Sequence, residues 1–128
     1  LKAAAKISAN IDELNRFLGR DLREPIRFGI GIHGGEVIVG DIGYRDHMVF
    51  TALGDPVNVA ARLQDMTRSL ECEVILSDEV RKTASLPIDA LPQQEVAIRG
   101  RAEPMIIRTV AKAMLLSAFV EDIPNVAA

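Results

Sequence analysis

A chain of 128 residues makes one modest domain, long enough to bury a core, and its 48% hydrophobic and 26% charged residues exclude a disordered segment. The formal net charge of -3 gives no whole-domain attraction to nucleic acid or to an anionic membrane, so no nucleic-acid partner is expected. A single cysteine, Cys72, excludes an internal disulfide and a cysteine zinc cluster, and reads as a small buried apolar residue.

From the N-terminus, Ile7, Ile11, Leu14 and Leu18 recur at helical spacing, with Asn10, Asp12, Glu13 and Arg16 supplying polar faces. Gly19 and Pro25 close this predicted helix. The chain opens at Leu1 and reads helical at once, with no signal peptide visible, and the missing initiator methionine suggests a piece of something longer. Between Ile26 and His33 the pattern changes to alternation: Ile26, Phe28, Ile30 and Ile32 share one face of a predicted strand, and Gly29 and Gly31 allow close approach on the other. Gly34-Gly35 reads as a tight turn into a second strand, Glu36 to Gly43, so these two runs are expected to form an antiparallel hairpin. His33 is expected to be a hydrogen-bonded strand-end residue and Asp41 a turn or surface carboxylate.

Tyr44 to His47 reads as a loop and Met48 to Leu53 as the strand feeding the next helix. Gly54 turns the chain, Asp55 is placed as the N-cap acceptor, and Pro56 takes the first helical position, where no amide hydrogen is needed. On that helix Val59, Leu63, Met66 and Leu70 form a core-facing stripe. Asn58 and Arg62 stand one turn apart beside it, an amide and a permanently charged guanidinium near a helix N-terminus, a pattern suited to an anionic ligand. Glu73 to Leu76 is a short predicted strand. Ser77 then caps a helix with Asp78 and Glu79 in its first turn and Arg81 and Lys82 beyond. Leu86 to Gln94 reads as irregular, and Val96 to Arg99 with Met105 to Val110 as a final strand pair. The 113–128 tail is apolar, with Met114, Leu115, Leu116, Phe119 and Val120, and is set apart from the 1–112 domain. Its expected roles are packing on the domain, leading to another segment or covering a subunit contact. The longest apolar run, Val110 to Val120, contains Lys112 and falls short of the roughly 20 residues of a membrane span. The order of elements implies an α/β (α+β) sandwich with a mixed or antiparallel sheet flanked by helices.

The run Gly-Asp-Pro-Val-Asn-Val-Ala-Ala-Arg-Leu, residues 54–63, resembles the Gly-Asp-x-Val-Asn-x-Ala-Ala-Arg-Leu signature of class III adenylate/guanylate cyclase catalytic domains. Upstream, Gly-Ile-His-Gly-Gly-Glu-Val, residues 31–37, is similar to the hairpin that precedes that signature. The resemblance covers Ile26 to Val110 and implies a ferredoxin-like nucleotide cyclase fold whose N-terminal part is missing. It further implies conversion of ATP or GTP to the 3′,5′-cyclic monophosphate and pyrophosphate. By the same resemblance Asn58 orients the ribose, Arg62 neutralises the α-phosphate in the transition state, Thr51 reads the purine and favours ATP, and Arg99, rather than Arg101, binds the terminal phosphates. The family uses two Mg²⁺ or Mn²⁺ ions held by two aspartates in motifs that do not occur in this chain, so no metal ligand is assigned here. Its active sites form between two subunits, which implies a homodimer, and an ATP substrate implies a cytoplasmic domain. Two other classes stand beside the enzyme reading: a regulatory cyclase-homology domain that keeps the fold without metal chemistry, and an α/β interaction module. Against a diguanylate cyclase, Gly34-Gly35-Glu36-Val37 lacks the acidic pair of the Gly-Gly-Asp-Glu-Phe motif.

Overall fold

The computed structural model describes residues 1–84, 87 and 89–120. The parts of the sequence reading that fall on Leu86, on Ile88 and on 121–128 lie outside the described residues. Helix α1 spans Lys2–Leu18. Strand β1 (Ile30–Ile32) follows, then β2 (Ile38–Tyr44), β3 (His47–Leu53), α2 (Asp55–Met66), β4 (Val74–Ser77), α3 (Asp78–Ala84), β5 (Gln93–Val96) and β6 (Met105–Val110). A 3₁₀ turn over Ala113–Leu116 leads into α4 (Ser117–Val120).

Four strands form a mixed sheet in the order β1-β4-β6-β5, with β1 parallel to β4 and the other neighbours antiparallel. Central strand β4 is buried on both faces, and its period-2 alternation divides the core in two. Val74 and Leu76 join Ala4, Ala5, Val110, Ala113 and Leu116 on the α1 side, while Ile75 joins Val59, Leu63, Cys72, Ile98 and Ile107 on the α2 side. The sheet is thus flanked by helices on both faces, the sandwich expected from the sequence. Cys72 is buried, and burial raises its thiol pKa. Met66, the last residue of α2, and Leu70, in the turn beyond the helix rather than on it as expected, pack against the second cluster. On α1 the inward residues are Ala4, Ala5 and Ser8, whereas Ile7, Leu14 and above all Phe17 stay exposed. Small residues face the sheet there and let the helix lie close.

Glu73, at the start of β4, ties the first core together. Its carboxylate accepts hydrogen bonds from the Ser8 hydroxyl and, at 2.7 Å, from the Ala113 amide, and Lys112 Nζ lies 3.0 Å away. Lys112 also meets Asp12 at 2.9 Å, and bonding to Asp12 and then Glu73 raises the lysine pKa. The turn at 113–116 is therefore packed on α1, with Ala113 and Leu116 fully buried.

Several local expectations are corrected. The strand anticipated from Ile26 to His33 is realised only over Ile30–Ile32, because the Asn15 side-chain amide donates to the Ile26 carbonyl and accepts from its N–H, at 2.9 and 2.7 Å. Nor do β1 and β2 form a hairpin: β1 pairs with β4, and β2 pairs with β3 from Ile38↔Leu53 to Tyr44↔His47. Neither Gly34 nor Gly35 has the positive φ that a two-residue hairpin turn of the usual kind requires, so this segment links two sheets instead. The reversal falls at Arg45–Asp46, where Arg45 adopts φ 53 and its guanidinium stacks 5.1 Å from the Tyr44 ring centroid. The expected loop at Tyr44 to His47 is only this two-residue turn. At the last pair, the strand expected at Val96 to Arg99 lies earlier, at Gln93–Val96, its first two residues taken from the stretch anticipated as irregular.

Candidate active site

The residues singled out by the signature depend on where α2 is held. Gly29 and Gly31 place no side chain between β1 and this helix: a Cβ on Gly31 would collide with the Ala60 carbonyl, and one on Gly29 with the Thr67 hydroxyl. Helix and strand consequently touch through backbone, and Val59 and Leu63 are fully buried beneath.

The start of α2 differs from the sequence reading. Gly54 is the N-cap, at φ 147 and ψ 165, a conformation available essentially to glycine alone. Asp55 is the first helical residue and makes no cap bond; its carboxylate instead meets the Arg101 guanidinium at 3.5 Å. A Cβ on Gly54 would also lie 3.3 Å from the Glu36 carbonyl, so both strands of the β2–β3 hairpin are rooted at this helix end.

Arg62 is brought to the turn that follows β5. There the Arg101 amide donates to the Ile98 carbonyl at 3.0 Å, and Gly100 occupies the third position at φ 84, where a type II turn calls for glycine. The Arg62 guanidinium lies directly over Gly100, its Nη1 3.1 Å from where a Cβ would stand. Arg62 is therefore brought to the turn that contains Arg99, and Gly100 is the residue that sequence reasoning missed; its position between two arginines was the available signal. Among the described residues, neither Asn58 nor Arg62 has a hydrogen bond or ion pair, and Asn58 is exposed one helical turn before Arg62. Arg99 is exposed as well, whereas Arg101 is engaged by Asp55. The turn thus concentrates positive charge with donors left to face a ligand.

Thr51 lies outside this cluster, half-buried in β3 and paired with Gly40 across the hairpin. Asp41 is an exposed strand residue. Beside the arginine turn a cleft of about 490 Å³ runs between Gly34-Gly35, Pro56, the start of α3 and 101–106. Its walls carry both signs, Asp78, Glu79 and Glu103 against Lys82 and Arg101, and none of the four assigned site residues lines it. At its edge His33 Nδ1 is hydrogen-bonded to the Ser77 hydroxyl at 2.7 Å; Ser77 is a buried strand residue rather than an open helix cap. Burial lowers the His33 pKa, as does Arg101, against weaker opposing effects of Glu79 and Asp55.

Among the described residues no group of three or more His, Cys, Asp or Glu side chains is placed to hold a metal ion. The residues present do not fit the two-metal site that the resemblance implies. Among the described residues, too, no helix is long and apolar enough to cross a membrane.

Comparison with known proteins agrees with this architecture. The model of the adenylate and guanylate cyclase catalytic domain matches residues 3–111. An adenylate cyclase of Anabaena cylindrica is 31% identical over 102 residues, 77% of this chain and 20% of that protein. Adenylate cyclase 1 of Rhizobium meliloti is 32% identical over 84 residues, 66% of this chain and 13% of that protein. The chain therefore spans no more than about a fifth of these relatives. Among solved structures, the guanylyl cyclase Cya2 superposes with a TM-score of 0.68 at 26% identity, over 84% of this chain and 54% of that one. A bacterial light-regulated adenylyl cyclase gives 0.50 at 30% identity, over 69% and 44%. By the family model's match to most of its length, and by a fold shared with solved cyclases, this chain belongs to the adenylate and guanylate cyclase catalytic domain family.

Proposed function

We propose that this chain supplies the transition-state half of a nucleotide-cyclising site that converts ATP to 3′,5′-cyclic AMP and pyrophosphate. The observation that carries the reading is the seating of Arg62 on Gly100, the neighbour of Arg99 in its turn, with Asn58 exposed one helical turn before Arg62. In the reaction the ribose 3′-oxygen bonds to the α-phosphorus, the bond to pyrophosphate breaks and the hydroxyl proton is lost. Negative charge builds on the phosphoryl oxygens, so the protein's main task is electrostatic. Arg62 neutralises the α-phosphate, Asn58 orients the ribose, Arg99 holds the terminal phosphates and Thr51 reads the purine edge, favouring ATP over GTP. A polar side chain opposite an unobstructed strand position supports that last assignment.

The site is completed by a second subunit, a homodimer in the parent protein, whose carboxylates hold Mg²⁺ or Mn²⁺; no step is assigned to a metal on this chain. An apolar face of the β2–β3 hairpin, with Ile38 75% and Val49 63% exposed, supports such pairing. ATP as substrate places the domain in the cytoplasm and its product in intracellular signalling. A second reading, a regulatory nucleotide-binding domain without catalysis, is favoured by the lack of a carboxylate cluster among the described residues.

The test pairs this chain with a cyclase domain that keeps its metal carboxylates but lacks the asparagine and arginine of its own signature. Arg62→Ala is expected to lower kcat about 10²–10³-fold, the ~2.7–4 kcal/mol of a lost transition-state donor, with KM for ATP little changed. Arg99→Ala is expected chiefly to raise KM. Equal activity of the Arg62 variant and the unaltered chain would remove the catalytic assignment.

A further inference from the structure

Among the described residues nothing accounts for Gly40. Its backbone is not in the left-handed region, so the conformation does not call for glycine. Nor does crowding: a Cβ built at Gly40 has nothing within 4 Å among the described residues, whereas at Gly29, Gly31, Gly35 and Gly43 it would collide with a neighbour. A glycine inside a strand weakens it and, when nothing in the chain requires it, marks a place where a ligand or another backbone comes close.

The register shows what borders the gap. Gly40 stands opposite Thr51, and the alternation of the two strands puts Ile38 and Leu53 on the same face one step to one side and Ile42 and Val49 one step to the other. Gly40 is thus the floor of a notch, Thr51 its polar side, and the two apolar pairs its ends. Ile38 and Ile42 are four residues apart, roughly 13 Å along an extended strand, which is room for a flat bicyclic ring. From Thr51, β3 runs straight into Gly54 and α2, so the notch is joined by continuous secondary structure to the helix that carries Asn58 and Arg62.

We infer that Gly40 is a specificity residue: the face of the substrate's purine ring lies against it, so that the ring edge reaches Thr51, and the missing side chain is what admits the base. The inference rests on the nucleotide reading above. It adds that the width of the base site is set from the strand facing Thr51, by a residue that makes no polar contact.

Gly40→Val separates this from a structural role. Valine suits a strand and meets no neighbour here, so thermal stability should stay level or rise. In the paired assay, Gly40→Val should raise KM for ATP about tenfold or more with kcat held within about threefold, and Gly40→Ala should fall between. Sedimentation of the pair should be unchanged. An unaltered KM in Gly40→Val would overturn the inference while leaving the nucleotide reading in place. Loss of association that accounts for the lost activity would also overturn it, by assigning the gap to the partner's backbone. A pair that is silent with the unaltered chain would overturn the nucleotide reading and this inference with it.

Discussion

His33 joins the end of β1 to the end of β4 through its bond to Ser77, and burial first, then Arg101, disfavours its charged form. Its folded pKa lies below the ordinary value of about 6.5, so the unfolded chain binds its proton more readily. The stability this provides is present above pH 6.5 and is lost as the pH falls from there toward the folded pKa. The groups facing the ring are Ser77, Arg101, Glu79 and Asp55; the two carboxylates oppose the shift. Asp78, whose carboxyl is held low first by its bond to Arg81, titrates in a more acidic range and does not enter this window. Urea midpoints should therefore fall between pH 7.5 and 5.5, and His33→Gln, which keeps a hydrogen-bonding group, should flatten that fall. The same slope in both proteins would contradict the assignment.

Helix α2 ends on a device that the sequence conceals. The Cys72 amide donates to the Thr67 carbonyl at 3.0 Å and the Glu71 amide to Arg68 at 3.4 Å, a Schellman arrangement with Glu71 at φ 50 in the place that glycine usually fills. Relief of that backbone strain by Glu71→Gly should stabilise the fold by about 0.5–1 kcal/mol, read as a raised urea midpoint at unchanged slope. A lowered midpoint would show that the Glu71 side chain matters more than its backbone. The body of the same helix was legible beforehand: Val59, Leu63 and Met66 announce its buried face, and a final strand pair was read, though its first strand lies at Gln93–Val96. Strand partners were not legible. Gly34-Gly35 carries the composition of a hairpin turn, and only tertiary packing, which puts Pro56 where a Gly35 side chain would go, shows it to be a link between sheets. The same holds for the site. Asn58 and Arg62 could be read from one helix, but that Arg62 lies on Gly100 requires 37 intervening residues to fold, and Asp55 looked like a cap until Arg101 stood beside it.

For the whole molecule, the four-stranded sheet and its two cores form a closed unit, while the β2–β3 hairpin lies in a sheet of its own with Val49 and Tyr44 exposed beside Ile38 and Phe50. Arg62, Arg99 and Gly100 lie outside the 490 Å³ cleft, which Arg101 lines. An open half-site, an apolar arm rooted at the signature helix and no metal-binding cluster among the described residues fit one account: the chemistry needs a second surface that brings the carboxylates. The most direct measurement is cyclic AMP formation from ATP and manganese by this chain alone and by the same chain mixed with the carboxylate-bearing partner domain. The account predicts silence alone, activity in the mixture, and loss of that activity with Arg62→Ala. Robust activity of the chain by itself, or a mixture that stays silent although folded and paired, would contradict it.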